Sequence, residues 1–150
     1  MVHETFLDGA KKADVPIQKK MTRVEADRKG EPVYDSIAIR LFASQTCLGI
    51  CEGIESALSA HALYDCAVWS VLNSGFMKKF RAPVGVQHLI IFADSDNNGT
   101  GMEAAFVCGR ANIMANNDVS KVTIRYPEEG GDFNDVINKS QNIGEFKLTR

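Results

Sequence analysis

The sequence predicts an α/β fold of about four parallel strands flanked by helices, preceded by a β-hairpin-like extension. Three observations predict it. Apolar runs of strand length alternate with stretches of helical spacing from residue 47 onward, the pattern of βαβ units. The run Leu89-Ile90-Ile91-Phe92-Ala93 is wholly apolar, as a strand covered on both faces must be. That run stops abruptly at Asp94-Ser95-Asp96-Asn97-Asn98-Gly99, and ligands in open α/β sheets bind just beyond the carboxyl ends of strands.

Residues 1–46 differ in texture from the rest and are read as an extension packed on a core of residues 47–150. They hold short apolar pieces, Thr5–Leu7 and Val33–Leu41, between charged and Gly- or Pro-containing connections. A short strand, a basic loop and a longer strand over Ser36–Leu41 are expected, with a turn at Lys29-Gly30-Glu31-Pro32. Residues 10–30 carry seven cationic side chains against three acidic ones. Lys11, Lys12, Lys19 and Lys20 are candidates for tracking a nucleic-acid backbone, and a merely solvated loop is the alternative.

Cys47–Cys51 is the first core strand, and helical spacing begins at once after Glu52-Gly53. Ile54, Ala57, Leu58, His61 and Ala62 fall on one stripe, with His61 expected as a satisfied boundary histidine rather than a ligand. Cys66–Leu72 is the next strand, ended by Asn73-Ser74-Gly75, and a short helix follows over Phe76–Phe80. After the strand His88–Ala93, the positions Met102, Ala105, Phe106, Gly109 and Ile113 mark a long helix to about Ala115. Val119–Tyr126 is a fourth strand and Phe133–Lys139 a last short helix.

With 150 residues, 45% of them hydrophobic and 24% charged, the chain has the composition of one globular domain. No run approaches the roughly 18 apolar residues of a membrane span, and the start, Met1-Val2-His3-Glu4, does not resemble a signal peptide. A cytoplasmic location without membrane association is the expectation. A net charge of −2 argues against coating nucleic acid by bulk charge. Cys47, Cys51, Cys66 and Cys108 lie in apolar segments without a CxxC pair, so reduced, buried thiols are expected rather than a zinc site.

Three acidic clusters lie where strands give way to loops: Glu52, then Asp94 with Asp96, then Asp132 with Asp135. In a parallel sheet all carboxyl ends point the same way, so these clusters can share one rim. Gly53 is expected to turn the chain tightly and leave Glu52 at that rim. Residues i and i+2 of an extended segment project to the same side, so Asp94 and Asp96 can reach one hard cation. Magnesium suits that pair, because it takes few protein ligands and completes its shell with water and phosphate oxygens. Glu52 could complete a second metal position or move a proton.

The order Gly49-Ile50-Cys51-Glu52-Gly53-Ile54-Glu55-Ser56-Ala57-Leu58, then Phe92–Gly101, then Gly131-Asp132-Phe133-Asn134-Asp135 resembles the topoisomerase–primase (Toprim) domain. The variety it is most similar to occurs in primases and primase–helicases of phages and other mobile elements. His3-Glu4-Thr5-Phe6-Leu7 and the lysine-rich stretch after it resemble the segment preceding Toprim there.

The resemblance implies a compact Toprim/Rossmann-like fold and magnesium-dependent nucleotidyl transfer or phosphodiester cleavage, with manganese able to substitute. Primer synthesis in DNA replication is the activity it implies first. The family's proton-shuttling glutamate falls on Glu52, its metal-binding aspartates on Asp94 and Asp96, and a further acidic contributor on Asp132. The implied partners are a single-stranded DNA template, nucleoside triphosphates, and a helicase or other primase domains. One departure stands out. Bacterial replicative primases have an Asp four residues after the glutamate, where this chain has Ser56 with Glu55 beside it.

Three other readings compete. An EF-hand loop would match Asp94, Asp96, Asn98 and Gly99, but its twelfth position is Ala105 where a glutamate is required. A haloacid-dehalogenase-like phosphatase would use Asp94 as nucleophile, Asp96 as acid/base and Lys121 as its late lysine. It leaves Glu52-Gly53 unexplained. A Toprim module that only holds metal and nucleic acid, or a Toprim nuclease, differs from a primase in chemistry rather than in fold.

Overall fold

The computed structural model describes residues 3–5, 7–8, 11–12, 14–17, 19–21 and 36–150. The chain divides into two compact units, Met1–Asp35 and Ser36–Arg150. In the first, β1 (His3–Thr5) pairs antiparallel with β4 (Lys19–Met21), and β2 (Leu7–Asp8) with β3 (Lys11–Lys12). The expected basic loop thus contains strands. Lys11 is partnered in register by Asp8 and Lys20 by Glu4, and Lys20 is exposed. The turn expected at 29–32 lies outside the described residues.

The second unit is a five-stranded sheet in the order β6-β5-β7-β8-β9. Its elements are β5 (Cys47–Cys51), α1 (Ile54–Tyr64), β6 (Val68–Ser70), α2 (Ser74–Lys79), β7 (His88–Phe92), α3 (Thr100–Met114), β8 (Lys121–Pro127), α4 (Phe133–Lys139) and β9 (Ile143–Thr149). The first four strands are parallel, as expected, and β9 runs antiparallel along β8. The apolar run 88–92 is the central strand.

Alternate residues feed two cores, as the pleat requires. Leu48, Ile50, Leu89, Ile91, Val122 and Ile124 pack on the α2/α3 face. Cys51, Ile90 and Phe92 pack with Phe133 and Val136 of α4 and Ala57 and Ala60 of α1. The ring of Phe92 meets that of Phe133 edge-on, with centroids 4.9 Å apart, and lies 5.3 Å from Tyr64. Phe92→Ala should therefore lower stability by about 3–5 kcal/mol, read as a shifted denaturation midpoint at unchanged slope.

Several expectations need correction. The buried face of α1 is Ser56, Ala57, Ser59 and Ala60, not the stripe through Leu58 and Ala62. Leu58 is 50% exposed. Small side chains let the helix lie close on the sheet, so close approach rather than hydrophobicity selects the face. His61 is a boundary residue as expected, stacked on Phe42 and hydrogen-bonded through Nδ1 to the Cys66 carbonyl oxygen at 2.7 Å.

The strand expected over Ser36–Leu41 contributes a single antiparallel bridge, Ile39 to Ser70, on the outer edge of β6. β6 itself is shorter than expected. Leu72 adopts a left-handed φ of 71°, which takes the chain out of the strand.

The strand β9 was not expected from the sequence. Its apolar alternation is interrupted at Gly144, where a side chain would collide with the ring of Tyr126. The four cysteines are free thiols, two buried and two half-buried. Burial pushes Cys66 up to about 11 and Cys108 up to about 12, so both stay protonated at neutral pH.

Candidate active site

Topology alone puts an opening at one place. The chain leaves β5 through α1 to reach β6 on one side, then crosses back through α2 to β7 on the other side. The carboxyl ends of β5 and β7 therefore flank the switch point, where the crevice of a doubly wound sheet lies. Cys51 is paired in register with Phe92. Glu52 thus lies one residue past this pair on one strand and Asp94 two residues past it on the other.

Asp94 is half-buried and Asp96 exposed, and the Oδ1 atom of Asp94 is shielded from solvent. Between them Ser95 forms an antiparallel bridge with Gly131, with N–O distances of 2.8 and 2.9 Å. Gly130 and Gly131 both have positive φ, 86° and 96°, a conformation open to glycine. That pair of residues folds the loop after β8 back against the aspartates and so delivers Asp132 to the same rim.

The thiol of Cys51, buried beneath this rim, registers the convergence. Burial raises its pKa most, and Asp94, Asp132, Glu52 and Glu55 each push it further in that order. Glu52 is itself raised, first by burial and then by the charge of Asp96, while the backbone N–H of Ser74 favours its ionised form. The carboxylates sit at helix N-termini, where aligned peptide dipoles favour negative charge. Glu52 precedes α1 and Asp94–Asp96 precede α3.

Each acid also has a local structural job. Asp96 Oδ1 accepts from the Thr100 N–H at 3.1 Å, and Asn98 Oδ1 accepts from the same N–H at 2.8 Å. Asp132 Oδ1 accepts from the N–H groups of Asn134 and Asp135, and Asp135 Oδ2 accepts from the Asp132 N–H. This is a reciprocal capping box at the start of α4, a role for Asp132 and Asp135 that the sequence reading did not include. Asp135 also pairs with Lys139 at 2.8 Å.

Gly53 is extended, with φ −87°, so the tight glycine turn expected there is absent. Any residue can adopt that backbone. The close approach that does need a glycine is at Gly101, in the first turn of α3. A Cβ there would overlap the backbone carbonyl oxygen of Asp94.

Two contributors escaped the sequence reading. The buried Ser70 hydroxyl donates to the Glu52 carbonyl oxygen at 2.7 Å, and the Ser74 N–H reaches the Glu52 side chain. Ser70 ends β6, in register with Cys51, and Ser74 opens α2, in a stretch whose only signal was Asn73-Ser74-Gly75 as a strand stop. Ser56, at the position of the second acid in bacterial replicative primases, is buried. Glu55 Oε2 turns back to within 3.6 Å of a Cβ built on Gly53.

Lys121 opens β8 in register with His88. It stands at the opposite end of the sheet from Asp94 and cannot serve there as the lysine of a phosphatase. The element preceding the aspartates is the strand β7, which also excludes an EF-hand.

The sequence profile of the Toprim domain matches residues 47–142, which hold four of the five strands of the sheet and every acidic residue of the rim. The chain belongs to the Toprim family. No curated protein matches the sequence significantly. Among solved structures, this Toprim chain is similar to a DNA primase domain from Pseudomonas aeruginosa, with a TM-score of 0.57 and 13% identity. The similarity covers 93% of this chain and 43% of that structure, so the chain spans less than half the length of that primase domain. At this identity the likeness speaks for the fold.

Among the described residues, no three His, Cys, Asp or Glu side chains are gathered tightly enough to enclose an ion by themselves. An open rim of this kind suits a divalent ion held by one or two carboxylates and completed by water and substrate phosphates. Among the described residues, no helix is long and apolar enough to cross a membrane.

Proposed function

We propose that this Toprim domain catalyses magnesium-dependent nucleotidyl transfer in primer synthesis, as part of a DNA primase of the phage or mobile-element type. One observation carries the reading: Glu52 and the Asp94/Asp96 pair follow register-paired strands at the switch point, and Glu52 feels the charge of Asp96.

In this reading Asp94 and Asp96 would hold the divalent ion, with Asp132 supporting it through the carboxylate oxygen not named in its cap. The ion, magnesium or manganese, supplies neutralisation of charge on the phosphate oxygens when bound. The chain's own residues do the rest. Glu52, held by the Ser70 hydroxyl at its carbonyl and the Ser74 N–H at its side chain, would take the proton from an attacking 3′-hydroxyl. The new bond joins that oxygen to the α-phosphorus of a nucleoside triphosphate, the bond to the β-phosphate oxygen breaks, and pyrophosphate leaves. A single-stranded DNA template, nucleoside triphosphates and a helicase or other primase domains are the partners proposed. Lys11, Lys12, Lys19 and Lys20 are proposed as phosphate contacts on the first unit.

Calorimetric titration with magnesium and manganese tests the site. Asp94→Asn combined with Asp96→Asn should abolish saturable binding while the far-ultraviolet circular dichroism spectrum stays that of the parent. An unchanged titration would refute the assignment.

A further inference from the structure

We propose a second, metal-independent anion site on the outer side of β6, which binds a phosphate group of a nucleotide or of a nucleic-acid backbone through Arg40 and Arg81. It goes beyond the rim chemistry and does not involve the acidic residues.

The site is a cavity of about 190 Å³ lined by Ser36, Arg40, Trp69, Phe80 and Arg81, among others. Among the described residues, no acidic side chain lines it. The Arg40 guanidinium lies over the Trp69 ring, 5.0 Å from its centroid. Arg81 donates through one terminal nitrogen to the carbonyl oxygens of Phe80 at 2.8 Å and Lys78 at 3.4 Å. Among the described residues neither arginine has a carboxylate partner. A guanidinium carries five N–H donors, so most of the donors on both remain for a ligand. Each arginine has an ordinary job, one covering a tryptophan and the other closing the end of α2. Both arginines are exposed and line one cavity with no carboxylate partner among the described residues, so an anion entering it is attracted by both.

The backbones beneath them are clamped. The N–H of Ala82 donates to Asn112 Oδ1 at 2.9 Å, and Asn112 Nδ2 donates to the Phe80 carbonyl oxygen at 3.0 Å, so the buried Asn112 fixes both neighbours of Arg81. Ile39 exchanges hydrogen bonds of 2.7 and 3.1 Å with Ser70, and Trp69 Nε1 donates to the Phe42 carbonyl oxygen at 2.7 Å. Arg40 and its aromatic support are therefore held from both sides. Two guanidinium forks on anchored backbone suit the tetrahedral, multiply charged oxygens of phosphate. The Trp69 and Phe80 rings give a sugar or base an apolar wall.

Trp69 is the single tryptophan of the chain, so its emission reports on this cavity alone. Fluorescence should be titrated in EDTA, which keeps divalent ions out of the rim, with inorganic phosphate, ATP and a short oligothymidylate. Equilibrium dialysis with labelled ATP or oligonucleotide is the second readout, because replacing Arg40 alters the emission directly. Saturable binding is expected. Arg40→Gln and Arg81→Gln should each weaken it roughly ten-fold or more, with unchanged melting. Arg40→Lys should restore only part, since it returns charge without the fork. Asp94→Asn should leave the binding unchanged, which separates this site from the rim.

Tighter binding of the oligonucleotide than of ATP identifies a backbone phosphate, and the reverse identifies a free nucleotide; either supports the site. The proposal is overturned if none of the three probes binds saturably. It is also overturned if acetate competes as well as phosphate, or if the Arg40→Gln/Arg81→Gln double variant binds like the parent.

Discussion

Glu52→Gln is expected to lower primer synthesis by about 10²–10⁴-fold, the usual worth of a positioned general base, and at the same time to raise the melting temperature at neutral pH. The two effects have one cause. Burial first, and the Asp96 charge second, hold the Glu52 carboxyl above the ordinary glutamate range. The folded chain therefore binds that proton more tightly than the unfolded chain does. The stability this provides is fully present below the unfolded-state value and is lost as pH rises through the folded-state value. At neutral pH the ionised side chain is a net burden on the fold, and the glutamine removes it. Thermal melts across the acid-to-neutral range should show the parent and variant converging at low pH and separating as pH rises. A variant that melts below the parent at neutral pH would contradict the electrostatic part of the account. Activity lost at every pH with unaltered melting would leave Glu52 outside the acidic cluster.

Gly101→Val is expected to damage both fold and site, because its Cβ would occupy the position of the Asp94 carbonyl oxygen. Overpacking against backbone costs about 1–3 kcal/mol, and relief requires α3 or the Asp94 segment to move. Either movement disturbs the carboxylate pair, so magnesium affinity should fall together with stability. Gly53→Ala is the matched control at the other acidic cluster. Its backbone is already extended and its nearest contact is Ser56 Oγ at 3.3 Å, so a slight side-chain adjustment accommodates a methyl group. Chemical denaturation of both variants, with and without magnesium, checks the contrast.

The contrast between these glycines shows what the sequence carries. Gly53 beside Glu52 suggested a tight turn, yet the geometry that depends on a missing side chain lies at Gly101, seven residues beyond Asp94 and inside a helix. Close approach of two backbones leaves no local pattern. The sheet, by contrast, was legible. A run such as Leu89–Ala93 that is apolar throughout can only be a covered strand; β5 and α4 fall on their expected residues and β7 ends one residue early. The shared rim followed from parallel strands ending in acids. The edges of the sheet were less legible. β9 hides its alternation at Gly144 because the Tyr126 ring fills the space of a side chain. The segment 36–41 is joined to β6 by one backbone bridge only, Ile39 to Ser70. The face of α1 was misjudged because serine and alanine, chosen for size, carry little hydrophobic signal. Ser70 and Ser74 were missed for a related reason, since the hydroxyl supports Glu52 only once β6 pairs with β5 and the backbone N–H only once α2 starts beside it.

The central claim is that Asp94 and Asp96, at the end of β7, grip one divalent ion at the switch point beside Glu52 of the neighbouring strand end. Anomalous diffraction from crystals soaked in manganese tests it most directly. The account predicts a peak about 2.1 Å from carboxylate oxygens of Asp94 and Asp96, on the side facing Glu52. Manganese bound elsewhere, with the Asp94 and Asp96 carboxylates bare, would contradict it.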